Sequence, residues 1–208
     1  MTEAGDAAII ITLSGKLSGT YQSACIAASE FDENVYVVDS ENVAVGERAL
    51  IEYALRLKDQ GKDAEFIVTE LESTKKDIHT IALLDTLEYL KKGGRISKTV
   101  AFAGNVLSIK PVVGVTDGEV VILGKARGSK QGNNLLIEQI NKAGGIDFDM
   151  PYFLGYTGLS DALLQKYISD SKDIWMEHVE SLPVFTVGGT IGTHVGPGAI
   201  ALAFYALH

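Results

Sequence analysis

A single cysteine, Cys25, leaves this 208-residue chain without the means to close an internal disulfide, and its place on the apolar side of a predicted helix reads as packing. Basic residues are few: 18 Lys and Arg stand against 27 Asp and Glu, for a net charge of −9. Binding a phosphate backbone draws on a basic face, so nucleic acid is not the expected partner. Long apolar runs are missing as well. Neither Ala7–Leu13 nor Ala199–Leu207 is long enough to cross a bilayer, and the opening Thr2-Glu3-Ala4-Gly5-Asp6 is acidic where a signal peptide is basic, which predicts a cytoplasmic protein. His79, His178, His194 and His208 have no paired ligand spacing, so neither a metal nor another cofactor is expected. Neither Gly188-Gly189-Thr190-Ile191-Gly192 nor Gly124-Lys125-Ala126 ends as a phosphate-binding loop does. What is present is ordinary for a globular chain, at 46% hydrophobic and 22% charged, without repeats or low-complexity tracts.

The stretch Ser14-Gly15-Lys16-Leu17-Ser18-Gly19-Thr20-Tyr21-Gln22-Ser23-Ala24 begins where the apolar run Ala7–Leu13 stops. Ile9, Ile10 and Ile11 read as a buried strand, Ser18 as a helix N-cap, and Tyr21, Ala24, Cys25 and Ala28 recur at helical spacing. The result is a strand–loop–helix corner dense in hydroxyls, the kind of corner at which open α/β sheets bind ligands. The same Ser and Thr residues also suit plain caps and turns. A second stretch, Gly188 to Gly198, sets glycines, two threonines and a proline around His194. Glycine at that density asks for positive φ or close approach to the backbone, and a histidine there can donate to a carboxylate.

Between these stretches the pattern alternates. A strand Val35–Val38 precedes a helix drawn by Val43, Ala49, Leu50, Tyr53, Ala54 and Leu57 that stops near Gly61, giving the β-α-β-α order of a parallel sheet. Thr69–Asp77 reads as a helix or connector, with a domain boundary near its end. Ile78–Leu84 reads as a strand and Thr86–Lys92 as a short helix stopped by Gly93-Gly94, and Ser97 can cap a helix carrying Val100, Phe102, Ala103 and Val106. Leu107–Val115 and Glu119–Lys125 flank Thr116-Asp117-Gly118 as a hairpin. A helix Ser129–Ala143, a strand Tyr152–Tyr156, a helix Ser160–Ile168 and a strand near Ile174–His178 follow, and strands are expected to predominate after that. In Ala199–Leu207 the larger Ile200, Leu202 and Phe204 alternate with Ala201 and Ala203, as a strand would have it. Two basic clusters, Lys91, Lys92, Arg95 and Lys98, then Lys125, Arg127 and Lys130, sit at turns where an arginine could meet a carboxylate or phosphate, or simply be solvated.

Four motifs in order, from Ser14-x-x-Leu17-Ser18-Gly19-Thr20 through Asp85-Thr86-Leu87-Glu88-Tyr89-Leu90-Lys91-Lys92-Gly93-Gly94-Arg95-Ile96-Ser97 and Lys110-Pro111 to Gly192-Thr193-His194-Val195-Gly196-Pro197-Gly198-Ala199, resemble those of the DegV family of bacterial fatty-acid-binding proteins. The resemblance implies a two-domain α/β architecture: a truncated N-terminal α/β domain with a parallel sheet over residues 1–77, then an α+β domain with a largely antiparallel sheet over 78–208. It implies a carrier rather than an enzyme. One long-chain fatty acid would lie between the domains, its carboxylate held by Ser14, Gly15 and His194 and presented to an ATP-dependent fatty-acid kinase subunit that makes an acyl phosphate. Arg95 and Arg127 would line the ligand mouth or dock the kinase, and peripheral contact with a membrane would allow lipid exchange.

The chain departs from that family in two ways. A longer N-terminal part with a Thr-Ser-Gln-Pro-Ser-like loop is usual, so a partial head-group site and exposed apolar sheet are expected here. The second of two adjacent serines is Gly15, which keeps only its backbone N–H. Two other readings stay open: a hydrolase using Ser14 as nucleophile and His194 as base, although no Gly-x-Ser-x-Gly elbow surrounds Ser14, or a truncated relative with little lipid binding.

Overall fold

The three consecutive isoleucines form β1 (Ala8–Thr12), which pairs in parallel with β2 (Val35–Asp39), Ala8 opposite Val35 and Thr12 opposite Asp39. The crossover between them is α1 (Thr20–Ala28). A computed structural model describes residues 6–31, 33–96 and 109–207 of the chain. The expected helix from Ser97 to Val106, together with Lys98, lies outside the described residues. Helix α1 begins one residue later than a Ser18 cap would give: Gly19 occupies the cap position, while Ser18 Oγ accepts from the Thr20 N–H at 3.3 Å.

Two helices follow. In α2 (Val45–Asp59) the residues Val45, Ala49, Leu50, Ala54 and Leu57 are buried, the spacing of a single helical face. Next, α3 (Ala64–Thr74) starts earlier than the polar run suggested, because Asp63 Oδ1 accepts from the Phe66 N–H at 2.8 Å and caps it. A 3-10 turn, Lys75–Asp77, then leads into the second sheet.

That sheet has six strands in the order β5-β4-β3-β8-β6-β7. The strands are β3 (Ile78–Leu83), β4 (Ile109–Thr116), β5 (Glu119–Arg127), β6 (Phe153–Tyr156), β7 (Val184–Thr186) and β8 (Ile200–Tyr205). All neighbours are antiparallel except β6 and β7. Asp117 and Gly118, with φ of 48° and 77°, make the tight turn between β4 and β5 that the Asp-Gly pair foretold. Helices α4 (Glu88–Lys92), α5 (Gly128–Lys142), α6 (Ala162–Asp170), α7 (Lys172–Trp175) and α8 (Gly189–Val195) complete the chain.

Strand periodicity divides the core between two faces. Ile200, Leu202 and Phe204 of β8 join Ile81, Leu83, Leu136, Ile140, Leu164, Tyr167 and Trp175 beneath α5, α6 and α7. Ala203 and Tyr205 face the other way and pack with Val45, Leu50, Leu57, Ile67 and Leu71 of α2 and α3. The N-terminal helices therefore share a core with the six-stranded sheet.

Two expectations are corrected. The segment near Ile174–His178 is not a strand: residues 172–175 form α7, whose Trp175 Nε1 donates to Ser171 Oγ at 2.9 Å inside the core. The stretch around His194, where strands are expected to predominate, instead forms a helix over residues 189–195, α8. Ile191 and Val195, four apart and half-buried, line a chamber over the sheet, and that packing offsets the poor helix propensity of glycine.

Candidate functional site

Three small residues lie side by side on the α2 face of the large sheet: Ala82 of β3 opposite Ala201 of β8, and Ala201 opposite Gly155 of β6. Together they leave a depression where larger side chains would fill the sheet surface. Val43, Val45, Ile191 and Val195 roof it from the α2 entrance and from α8, and Thr80, Val113 and Val120 extend its wall. The resulting chamber is almost wholly apolar and has a cavity volume of about 70 Å³. Val43, Leu90, Val120, Ile191 and Val195 also border a second space of about 310 Å³, so the two adjoin. The second space is a mainly apolar mouth, to whose rim the polar Ser18, Thr20, Glu47, Arg95, Thr190 and His194 contribute.

The chain is pinned around this mouth by buried polar contacts. Asn42 accepts from Thr80 Oγ1 at 2.8 Å and donates through Nδ2 to Ser40 O and Lys75 O, which fixes the loop leading into α2 against β3. Gly46 is required beneath it, because a Cβ there would run into Thr80 Oγ1 and Asn42 Oδ1. Thr157 Oγ1 donates to Gly196 O at 2.6 Å and accepts from the Ala199 N–H at 3.0 Å, anchoring the chain just beyond α8. Gly196 has φ of 79° and its Cα hydrogens face the Tyr89 ring, so both conformation and space demand glycine.

The expected site residues divide. His194 lies on α8 and Arg95 just beyond α4, and both line the mouth. The His194 Nδ1 is buried without a hydrogen-bond partner among the described residues, and the ring packs directly on Gly93, where a Cβ would collide with it. Arg95 Nε donates to Leu17 O at 3.0 Å and Nη1 to Gly93 O at 2.6 Å, which ties the end of α4 to the loop after β1.

Ser14 and Gly15 stand behind the mouth, whose wall is formed by Leu13, Leu17 and Ser18 from the same loop. Ser14 is fully buried, and its hydroxyl donates to Gly118 O in the β4–β5 turn at 2.7 Å. The Gly15 N–H donates to Asp39 Oδ2 at 3.1 Å. Asp39 is held in turn by Lys75, whose ammonium donates to Asp39 O at 3.0 Å and pairs with Glu72 and Glu41 at 2.7 and 3.0 Å. Burial alone would lower the Lys75 pKa, but the two glutamates outweigh it and hold the value above the ordinary one. Arg127 is exposed at the far end of β5, eight residues from Glu119, or about 26 Å at ~3.3 Å per residue, and is not among the residues lining the mouth.

Sequence reasoning passed over Glu47, Asn42, Thr80 and Thr157. No local signal marks them, since each matters only through a neighbour distant in the chain. Glu47 is half-buried in the first turn of α2, and burial pushes its carboxyl up to about 7. A helix N-terminus favours the charged form by about 0.3–1 kcal/mol, less than one pKa unit, so desolvation prevails. Among the described residues no group of His, Cys, Asp and Glu side chains is placed to hold a metal ion. Nor is any helix among them long and apolar enough to cross a membrane.

Comparison with known proteins places this geometry in a family. The profile described as "Uncharacterised protein, DegV family" matches residues 1–207. A DegV domain-containing protein of Caldanaerobacter subterraneus is 34% identical over 202 residues, covering 96% of this chain and 70% of that protein. Among solved structures, one titled as the fatty acid binding of a DegV family protein from Thermus thermophilus superposes with a TM-score of 0.84 at 31% identity, covering 99% of this chain and 74% of that one. A DegV family protein from Eubacterium eligens loaded with heptadecanoic acid gives a TM-score of 0.82 at 25% identity, covering 97% and 74%.

Proposed function

Because the chain belongs to the DegV family, we propose that it is a fatty-acid carrier that presents the carboxylate of one long-chain acid to an ATP-dependent fatty-acid kinase. The observation that carries this reading is the apolar chamber over Ala82, Ala201 and Gly155, adjoining a mouth that bears Arg95 and His194. The tail lies in the chamber and the head group at the mouth. Each buried CH₂ contributes about 0.8 kcal/mol, so about ten of them supply a gross 8 kcal/mol, and the tail dominates affinity. Head-group contacts then set direction and keep the carboxylate from being buried unpaired.

Within that arrangement His194 and Arg95 meet the carboxylate directly. Ser14 and Gly15 support the mouth from behind, and Ser14 reaches the ligand only if its hydroxyl turns away from Gly118 O. That same hydrogen bond goes to a main-chain carbonyl rather than to His194, which favours a carrier over a Ser–His hydrolase. Arg127, exposed and distant from the mouth, suits the docking of a partner protein in the cytoplasm, and the apolar mouth suits lipid exchange at a membrane surface.

Hexadecanoic acid binding, followed by acyl-phosphate formation with a fatty-acid kinase and ATP, tests the proposal. Arg127→Ala is expected to bind the acid as the parent does and to yield acyl phosphate several-fold more slowly. Loss of lipid binding in that variant would contradict the assignment of Arg127. Failure of the parent to bind the acid would contradict the carrier reading itself.

A further inference from the structure

Among the described residues lining the chamber and its mouth, Glu47 is the sole acidic side chain, an odd neighbour for a ligand whose head group is itself a carboxylate. It has no hydrogen-bond or ion-pair partner among the described residues. Around it the loop after β1 presents Leu13, Leu17, Ser18 and Thr20, and β5 presents Val120, none of which titrates. The charged and titratable groups facing the same space are Arg95, beyond α4, and His194, on α8. Arg48, next along α2, turns instead onto the Phe185 ring, 3.5 Å from its centroid.

Charge balance then limits what the mouth can accept. Arg95 supplies one positive charge. Two ionised carboxylates in the same poorly solvated space would leave the mouth net negative and repel each other, and such pairs hold one proton between them. We propose that Glu47 is a proton-sharing partner for the bound acid: its protonated carboxyl donates one hydrogen bond to the fatty-acid carboxylate, so that ligand and proton are taken up together. The pair then carries one negative charge opposite Arg95. The proton comes from Glu47 where that group is already protonated and from solvent where it is not, and no covalent bond is made or broken. Burial, which raises the Glu47 carboxyl to about 7, puts this exchange in the neutral range. Release of the acid is then favoured wherever the proton is lost. The inference rests on the carrier reading and adds to it a determinant of when the carrier lets go.

The test measures hexadecanoic acid affinity of the intact chain and of Glu47→Gln from pH 5.5 to 8.5, at ligand concentrations below aggregation. Titration of the free acid is common to both proteins and cancels in their ratio. Relative to E47Q, whose amide donates without needing a proton, the parent is expected to lose affinity above pH 7, approaching tenfold per pH unit. Calorimetry in buffers of different ionisation enthalpy gives a second readout. At pH 8 the parent is expected to take up most of one proton per ligand bound, and E47Q measurably less. A pH-independent affinity ratio with equal proton uptake overturns the proposal and leaves the carrier reading standing. Absence of binding to either protein at every pH overturns the carrier reading, and this proposal with it.

Discussion

At the residue scale the mouth is built from side chains whose environments decide their chemistry. His194 was legible because a histidine among glycines invites a functional reading. What sequence could not supply is that Gly93, about a hundred residues earlier, is the surface on which its ring rests. Glu47 was not legible at all: in the first turn of a helix an acidic residue looks like an ordinary dipole partner, and its significance is the apolar space beside it. That environment has a consequence for stability. The folded-state value of about 7 lies above the ordinary 4.5, so folding favours the protonated carboxyl. Its contribution is complete below about pH 4.5, drains away as pH rises towards 7, and is gone above that. Glu47→Gln lacks this dependence. Urea unfolding is therefore expected to show the variant gaining on the parent by about 1–2 kcal/mol between pH 4.5 and pH 8, a figure discounted for partial solvent access. A difference that stays constant across that range would contradict the burial assigned to Glu47.

At the scale of elements, local pattern and tertiary demand compete at identifiable places. The run of isoleucines, the Asp-Gly turn and the alternation of large and small residues in β8 each announced its element, because in each the burial period matches the backbone period. Helices α7 and α8 escaped notice for opposite reasons. The first is too short to display a period, and the second contains glycines that local propensity counts against a helix. Gly46 shows the competition most directly. In α2 an alanine would raise helix propensity by about 1 kcal/mol, yet its Cβ would strike the buried Asn42–Thr80 hydrogen bond. Overpacking of that kind costs about 1–3 kcal/mol and disturbs the roof of the chamber as well. Gly46→Ala is expected to be destabilised by about 1–2 kcal/mol in denaturant unfolding and to bind hexadecanoic acid more weakly. A stabilised variant would mean that propensity, not the approach of β3 to α2, governs the position.

At the scale of the whole molecule, the two-stranded β1–β2 sheet depends on the rest of the fold. A parallel pair alone is marginal, and here it is held by α2 and α3, whose other contacts belong to the six-stranded sheet. Its helix α1 has no buried residue, and Ile26 within it and Phe31 after it are 70% and 54% exposed. The β-α-β-α order was readable from periodicity. The chamber was not, because Ala82, Gly155 and Ala201 come from three strands far apart in the chain and become one surface only when β3, β8 and β6 align. It is this surface on which the carrier reading stands. Native mass spectrometry of the purified chain, with extraction and identification of any bound lipid, tests it most directly. The account predicts one fatty acid per folded chain, retained from the expressing cell or taken up from added hexadecanoic acid. A folded chain that holds no lipid and acquires none when the acid is supplied would contradict it.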